Sequence, residues 1–182
     1  MKLTKQLHQP IINGCKNNDA KAQMQLYDLY CEAMLTVAVR YVKDTFIAED
    51  IMQEAFIKAF KNIKNYKEEV AFGSWLKRIV INQSIDFLKK KKLELVSIKE
   101  ETNTIIEERD WHVEPTISYA EIVNSIQQLK DKYRVVVTLF LLEGYDHGEI
   151  AEILGISEVT SRTHLLRGKK KLQEQLKNVN YV

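Results

Sequence analysis

Hydrophobic residues recur at helical spacing along most of the chain. Neither glycine nor proline interrupts this pattern between Gly14 and Gly73. Residues three or four positions apart share one side of a helix, so two amphipathic helices are predicted here, the second beginning near Asp44 or Thr45 as N-cap. Their apolar stripes are Met24, Tyr27, Cys31, Met34, Leu35, Ala38, Tyr41 and Val42, and then Ile47, Ile51, Met52, Ala55, Phe56, Ala59, Phe60 and Ile63.

A third helix is predicted from about Phe72 to Lys92. Its inward face would consist of Trp75, Leu76, Ile79, Val80, Ile85 and Leu88. Six basic residues in this stretch stand against a single acid, Asp86, and four of them form a run of consecutive lysines at its end. Such a run is either a solvated helix end that suits the helix dipole or a nucleic-acid contact.

The stretch 93–117 loses the helical period, contains Pro115 and is acidic, which is typical of a linker. Residues 93–118 carry a net charge of −5. Since the whole chain carries +2, the rest of it carries +7. Helical spacing returns with Ile122, Ile126 and Leu129, and the run 134–138 fits a helix better than a buried strand because of its flanks. We therefore expect an all-α protein with domains over 1–92 and 118–182.

Composition restricts the function further. A hydrophobic content of 45% and a charged content of 29% indicate a soluble globular protein, and neither a membrane span nor a signal-peptide core is present, so a cytoplasmic location is expected. Cys15 and Cys31 lack ligand-spaced partners and the four histidines are scattered, so no metal site is predicted. No cofactor is expected either.

The sharpest local motif lies near the C-terminus. Asp146 and Glu149 have the spacing of a capping box, and Gly155 stands where the chain must turn, a place that often needs positive φ. Ser157 is the predicted cap of the next helix, with Glu158 in its first turn. This pattern predicts a helix-turn-helix.

The second helix of that motif, about Glu158 to Leu176, is rich in basic residues: Arg162, Arg167, Lys169, Lys170, Lys171 and Lys177. Its N-terminal residues would face base edges in the major groove and its basic tail would meet phosphates. The alternative is a structural helical hairpin with a solvated charged face. His164 is expected to face the groove or the solvent rather than to bind a metal.

Taken together, three segments resemble the sigma-70 family, specifically the short two-domain extracytoplasmic-function sigma factors. The segment 44–56, with Asp50, Gln53 and Glu54 on one helix side, is similar to the polymerase-binding segment of that family. The segment from Phe72 to the lysine run resembles the part that recognises and opens the −10 element. The C-terminal helix-turn-helix is similar to the reader of the −35 element.

The resemblance implies a set of site residues for each segment. The predicted polymerase-binding residues are Asp50, Gln53, Glu54 and Phe56. The predicted −10 residues are Asn65, Tyr66, Phe72, Trp75, Lys77, Arg78, Asn82 and Asp86. The predicted −35 residues are Ser157, Glu158, Thr160, Ser161, Arg162, His164, Arg167 and Lys170. Of these, Tyr66, Phe72 and Trp75 would offer stacking platforms for unpaired bases, although Trp75 also lies on the buried stripe and on its own is more often a core residue.

The resemblance also implies partners: core RNA polymerase, through its clamp helices and flap, promoter DNA, and a separate anti-sigma protein. The acidic linker would thread the polymerase near its active-site path, whereas a plain solvated tether is the alternative. Three positions depart from the usual family pattern, namely Lys130, Gly148 and Ser161.

Two other classes of protein compete with this assignment. A one-component regulator would bind a palindromic duplex site without polymerase. An enzyme acting on nucleic acid would need clustered carboxylates for metal or an activated nucleophile, and the sequence presents no such constellation. The sequence therefore predicts a sigma factor without catalytic activity.

Overall fold

The computed structural model describes residues 7–91 and 117–179, and every regular element in those two ranges is helical. The chain divides into two compact units, Met1–Lys91 and Lys92–Val182. This agrees with the predicted all-α class. The predicted linker, except for Ile117, lies outside the described residues.

The first unit contains α1 (Gln9–Lys16), α2 (Ala20–Val42), α3 (Thr45–Asn62), a 3₁₀ turn (Ile63–Asn65) and α4 (Phe72–Lys90). Helices α2, α3 and α4 pack against one another, and α1 packs on α2. Both predicted long helices are present, and Asp44 caps α3 by accepting from the backbone N–H groups of Phe46 and Ile47 at 3.0 and 3.2 Å. The α2–α4 contact is close, because a Cβ on Gly73 would lie 3.0 Å from Cε1 of Tyr30.

The second unit contains α5 (Tyr119–Gln128), α6 (Asp131–Val137), a π-helical turn (Thr138–Leu142), α7 (His147–Leu154) and α8 (Glu158–Val179). The run 134–138 is helical, as its flanks predicted. Helix α8 packs against α5, α6 and α7, and Gly168 lets α6 approach, since a Cβ there would lie 2.5 Å from Cγ2 of Val137. The long helix α8 is thus the element on which the other helices of this unit pack.

Candidate nucleic-acid interface

The polar side of α3 presents an acidic surface. Asp50, Gln53 and Glu54 are all exposed, while the opposite side of the helix, which includes Ile51, Met52 and Ala55, is buried as α3 packs against α2 and α4. Two large apolar side chains lie in line with them, Phe46 at 82% exposure and Ile57 at 53%. Positions 46, 50, 53 and 57 fall on one helix face, so the acidic surface is flanked by two hydrophobic side chains that the sequence analysis did not identify.

Phe56, predicted as a polymerase-binding residue, is instead part of the core. Its ring is buried and lies 4.8 Å from the ring of Tyr27 and 5.9 Å from that of Phe60, centroid to centroid. A ring packed in this way cannot meet a partner directly. Phe56 therefore supports the acidic face from behind by fixing α3 against α2.

The predicted stacking platform is mostly buried as well. Tyr66 and Phe72 are 3% and 2% exposed, and their rings meet edge to face with centroids 5.4 Å apart. Trp75 packs on both at 5.2 and 5.5 Å but is only half-buried. Tyr66 and Phe72 are thus core residues, and of the three aromatic side chains only Trp75 offers surface to a base.

The other predicted −10 residues lie at the surface. Arg78, Asn82 and Asp86 are exposed and follow one another at four-residue intervals along α4, which places them on one side of the helix. Asn65 is exposed at the start of the loop before α4, and Lys77 is half-buried. The result is a polar stripe that carries one guanidinium and one amide donor at the surface of α4.

The loop 66–71 between the 3₁₀ turn and α4 is held by side chains on both sides. The Tyr66 hydroxyl donates to the carbonyl of Val70 at 2.6 Å, and Nζ of Lys16 and Nε2 of Gln9 donate to Oε1 of Glu68 at 2.7 and 3.0 Å. Burial, the nearby Glu68 charge and Tyr30 raise the pKa of Tyr66 to about 12, so its hydroxyl remains a donor. The bonds from Lys16 and Gln9 lower the pKa of Glu68.

In the second unit the helix-turn-helix is built as the sequence predicts. Oδ1 of Asp146 accepts from the Glu149 N–H at 2.8 Å, and Oε2 of Glu149 accepts from the Asp146 N–H at 3.0 Å, which completes the capping box. Gly155 ends α7 with φ +70°. The Ser157 hydroxyl then accepts from the Thr160 N–H at 3.1 Å and so caps α8.

The N-terminal part of α8 displays several of the predicted −35 residues. Ser157, Glu158, Arg162 and Lys170 are exposed, and Thr160 and Arg167 are half-buried. Nη2 of Arg162 donates to Oε2 of Glu158 at 2.8 Å, one turn back on the helix. Val159, which the sequence analysis passed over, is 67% exposed on the same turn and suits a thymine methyl group.

Two predicted −35 residues, Ser161 and His164, are buried. They are 0% and 6% exposed, because they belong to the inward stripe of α8 that continues through Leu165, Gly168 and Leu172. The His164 ring meets the Tyr133 ring edge to face at 5.7 Å, and Oγ of Ser161 lies 2.9 Å from Nδ1 of His147. The prediction that His164 faces the groove or the solvent is therefore wrong, and both residues serve helix packing.

Burial also shifts the protonation of the two histidines. Desolvation, with smaller contributions from Lys132 and Arg167, lowers the pKa of His164 to about 4. Desolvation and the Arg162 charge lower the pKa of His147 as well. Both rings are thus neutral at physiological pH, where they add no positive charge to the helix-turn-helix.

Within residues 7–91 and 117–179, His, Cys, Asp and Glu form no group of three or more that could hold a metal ion. Among the helices of those same residues, none is both long and apolar enough to cross a bilayer.

Comparison with known proteins identifies both units. The model of Sigma-70 region 2 matches residues 26–94, and the model of Sigma-70 region 4 matches residues 119–172. The chain is 33% identical to the ECF RNA polymerase sigma factor SigW of Bacillus subtilis, over 92% of this chain and 96% of that protein. It is 28% identical to the RNA polymerase sigma-H factor of Pseudomonas aeruginosa, over 96% of both chains.

Solved structures show the same fold at low sequence identity. The sigma factor RpoE of Bartonella quintana, in complex with the anti-sigma factor NepR, aligns with a TM-score of 0.52 at 21% identity over 85% of this chain and 96% of that one. CnrH in complex with the cytosolic domain of CnrY aligns with a TM-score of 0.51 at 20% identity over 92% and 96%. The chain belongs to the sigma-70 family, in its extracytoplasmic-function group, and is an alternative sigma factor that directs RNA polymerase to promoters.

Proposed function

We propose that the acidic face of α3 is the surface that binds core RNA polymerase. The observation that carries this is the exposed row of Asp50, Gln53 and Glu54 between two exposed apolar side chains, Phe46 and Ile57. Carboxylates attract a basic partner and guide its approach, whereas apolar anchors supply burial when the complex forms. The clamp helices of the polymerase are the proposed partner for this face, and the flap is proposed to bind the second unit.

We further propose that the exposed stripe of α4 and the loop 66–71 receive the −10 element. Arg78 and Asn82 would contact the strand, and Trp75 would stack on an unpaired base, a contact that contributes about 1–3 kcal/mol. Unstacking a base costs a few kcal/mol, so one half-buried ring cannot hold the strand open by itself. Phosphate contacts and the binding energy of the polymerase complex must supply the rest.

The exposed start of α8 is the proposed reader of the −35 element. Val159 and Arg162 would face base edges, and Arg167 and Lys170 would contact phosphates on the flanks. The Ser157 hydroxyl occupies the Thr160 N–H at this end, and the dipole of α8 favours a phosphate near its remaining first-turn N–H groups. Three independent surfaces on two units thus bind three parts of one initiation complex.

Members of this family are initiation factors, and we infer that this chain works at promoter DNA in the cytoplasm without catalysing a reaction of its own. In the solved structures, RpoE is in complex with the anti-sigma factor NepR and CnrH with the cytosolic domain of CnrY. By analogy, a separate anti-sigma protein is the proposed inhibitor of this chain. The acidic linker is proposed to enter the path of nucleic acid through the polymerase, as in the family.

Reconstituted transcription tests the proposal. Purified protein and core polymerase are combined on promoter fragments from the source organism, and start sites are mapped. Specific initiation that depends on both components is expected. Specific duplex binding by the protein alone at a palindromic site, with no initiation, would instead support the one-component regulator.

Charge reversal tests the polymerase-binding face. Asp50→Lys and Glu54→Lys should each weaken core affinity by about tenfold, with a smaller effect at high salt, because each places a positive charge opposite a basic partner. The control is Glu32→Lys, which makes the same charge change at an exposed position of α2. Core affinities are measured by fluorescence anisotropy, and equal affinities for all four proteins would remove α3 from the interface.

A further inference from the structure

The short N-terminal helix α1 contacts the loop 66–71 at two of its side chains, Glu68 and Tyr66. Glu68 accepts from Gln9 and Lys16, which lie seven residues apart and therefore face the same side of α1. Nζ of Lys16 also lies 5.7 Å from the centre of the Tyr66 ring, at the base of the same loop. Helix α1 lies outside the part of the chain that matches region 2, residues 26–94, and contacts the loop 66–71 inside that part.

The backbone of Glu68 adds a second observation at this contact. Its φ is +63°, in the left-handed region that a residue with a Cβ rarely adopts. The two bonds from Gln9 and Lys16 therefore meet the side chain of a residue whose backbone is unfavourable. Asn65, Lys67 and Val70 are exposed around the same turn.

Electrostatics makes the position of Glu68 unexpected. A carboxylate beside a surface that receives DNA repels phosphate, so a purely electrostatic design would omit it. Lys16 neutralises this carboxylate at 2.7 Å. The Glu68 carboxylate therefore serves to fix the shape of the loop, and it does not attract the DNA strand.

We propose that Gln9 and Lys16 hold the loop 66–71, through Glu68, in the conformation that receives an unpaired base of the promoter. Glu68 is then a positioning residue for strand capture. This inference rests on the proposed −10 role of the α4 surface. In this proposal, α1 shapes the DNA-binding loop through Glu68 without contacting DNA itself.

The test compares two neighbouring substitutions in the full chain bound to core polymerase. Glu68→Gln removes the charge that Lys16 contacts, whereas Glu69→Gln removes the same charge one position along the loop without touching those bonds. Binding of the holoenzyme to a single-stranded oligonucleotide that carries the −10 element is measured, with a scrambled oligonucleotide for non-specific binding. Glu68→Gln should weaken specific binding about three- to fivefold, the size of an exposed ion pair, and Glu69→Gln should not.

The sign of the effect distinguishes positioning from electrostatics. Loss of a carboxylate near DNA should tighten binding by simple charge removal, so unchanged or tighter specific binding by Glu68→Gln would overturn the proposal. Equal losses for both variants would overturn it too. Core affinity and helix content by circular dichroism should match the parent protein.

Two further variants complete the test. Lys16→Met should weaken specific binding as Glu68→Gln does, and Lys16→Glu combined with Glu68→Lys should restore it by re-forming the pair with reversed polarity. Failure of this restoration counts against the proposal. If the unsubstituted protein directs no initiation, the proposed function fails; if it initiates and Glu68→Gln equals it in strand binding, only this inference fails.

Discussion

His164 predicts how the second unit responds to acid. Its ring is 6% exposed and packs edge to face on Tyr133, where α8 crosses α6. Burial, Lys132 and Arg167 lower its pKa from 6.5 to about 4, because a charged imidazolium there would lose hydration beside two cations. The folded unit therefore favours the neutral ring, whereas the unfolded chain binds a proton at its ordinary pKa.

This difference fixes the sign and size of the effect. Above the unfolded pKa of 6.5 neither state is protonated and His164 adds no pH dependence. As the pH falls from there to about 4, the unfolded state gains a proton that the folded state lacks, and the free energy of unfolding decreases. A shift of this size corresponds to at most about 3 kcal/mol, reached near pH 4 and constant below it.

The assay is urea unfolding of the full chain at several pH values, followed through the amide NMR signals of α8. His164→Leu keeps an uncharged side chain of similar size, while carboxylates and His147 still titrate, so the difference between the two proteins isolates His164. The parent protein should lose more stability than the variant between pH 6.5 and about 4. Parallel pH profiles, or a directly measured His164 pKa of about 6, would refute this account of the ring.

Two more predictions concern α8. Gly168→Ala places a Cβ 2.5 Å from Cγ2 of Val137 and should destabilise the second unit by about 1–3 kcal/mol in the same urea assay, and an unchanged midpoint would show that α6 can shift freely. Arg162→Ala should weaken holoenzyme binding to −35-dependent promoter fragments by about 1–3 kcal/mol with the unfolding midpoint preserved, and equal binding would exclude a base-reading role for this side chain.

The features that the sequence predicts well are those set by neighbouring residues. The capping box of Asp146 and Glu149, the turn at Gly155 and the cap at Ser157 each depend on groups within four positions of one another. The start of α3 at Asp44 is of the same kind. Local hydrogen bonding therefore suffices to place the helix-turn-helix on the chain.

The side of α8 that faces inwards was harder to assign. Ser161 and His164 are polar, and their types suggested DNA contact. Their positions at i and i+3 of a stripe that runs on through Leu165, Gly168 and Leu172 would have indicated burial. Periodicity was the stronger signal here, since a polar residue on an inward stripe is buried with the stripe.

The environment of the loop 66–71 could not be predicted from sequence spacing. Glu68 contacts Gln9 and Lys16 across 59 and 52 positions, and no local pattern specifies that pairing. Likewise, the positions of Tyr66, Phe72 and Trp75 near basic residues are compatible both with an exposed stacking surface and with a buried aromatic cluster. Only the packing of α2 against α4 decides that Tyr66 and Phe72 turn inwards and Trp75 remains partly accessible.

If Arg162 reads a base, the ion pair at the start of α8 makes that contact an exchange of partners. The guanidinium of Arg162 is already bonded to Glu158 before any base is present. A base edge must therefore compete with a carboxylate, and the gain in binding is the difference between two satisfied states. A base with two acceptors, such as the O6 and N7 atoms of guanine, would compete for the guanidinium better than a base with one. Glu158 would then compete with the DNA for Arg162, so that a promoter base must bind Arg162 more strongly than Glu158 does.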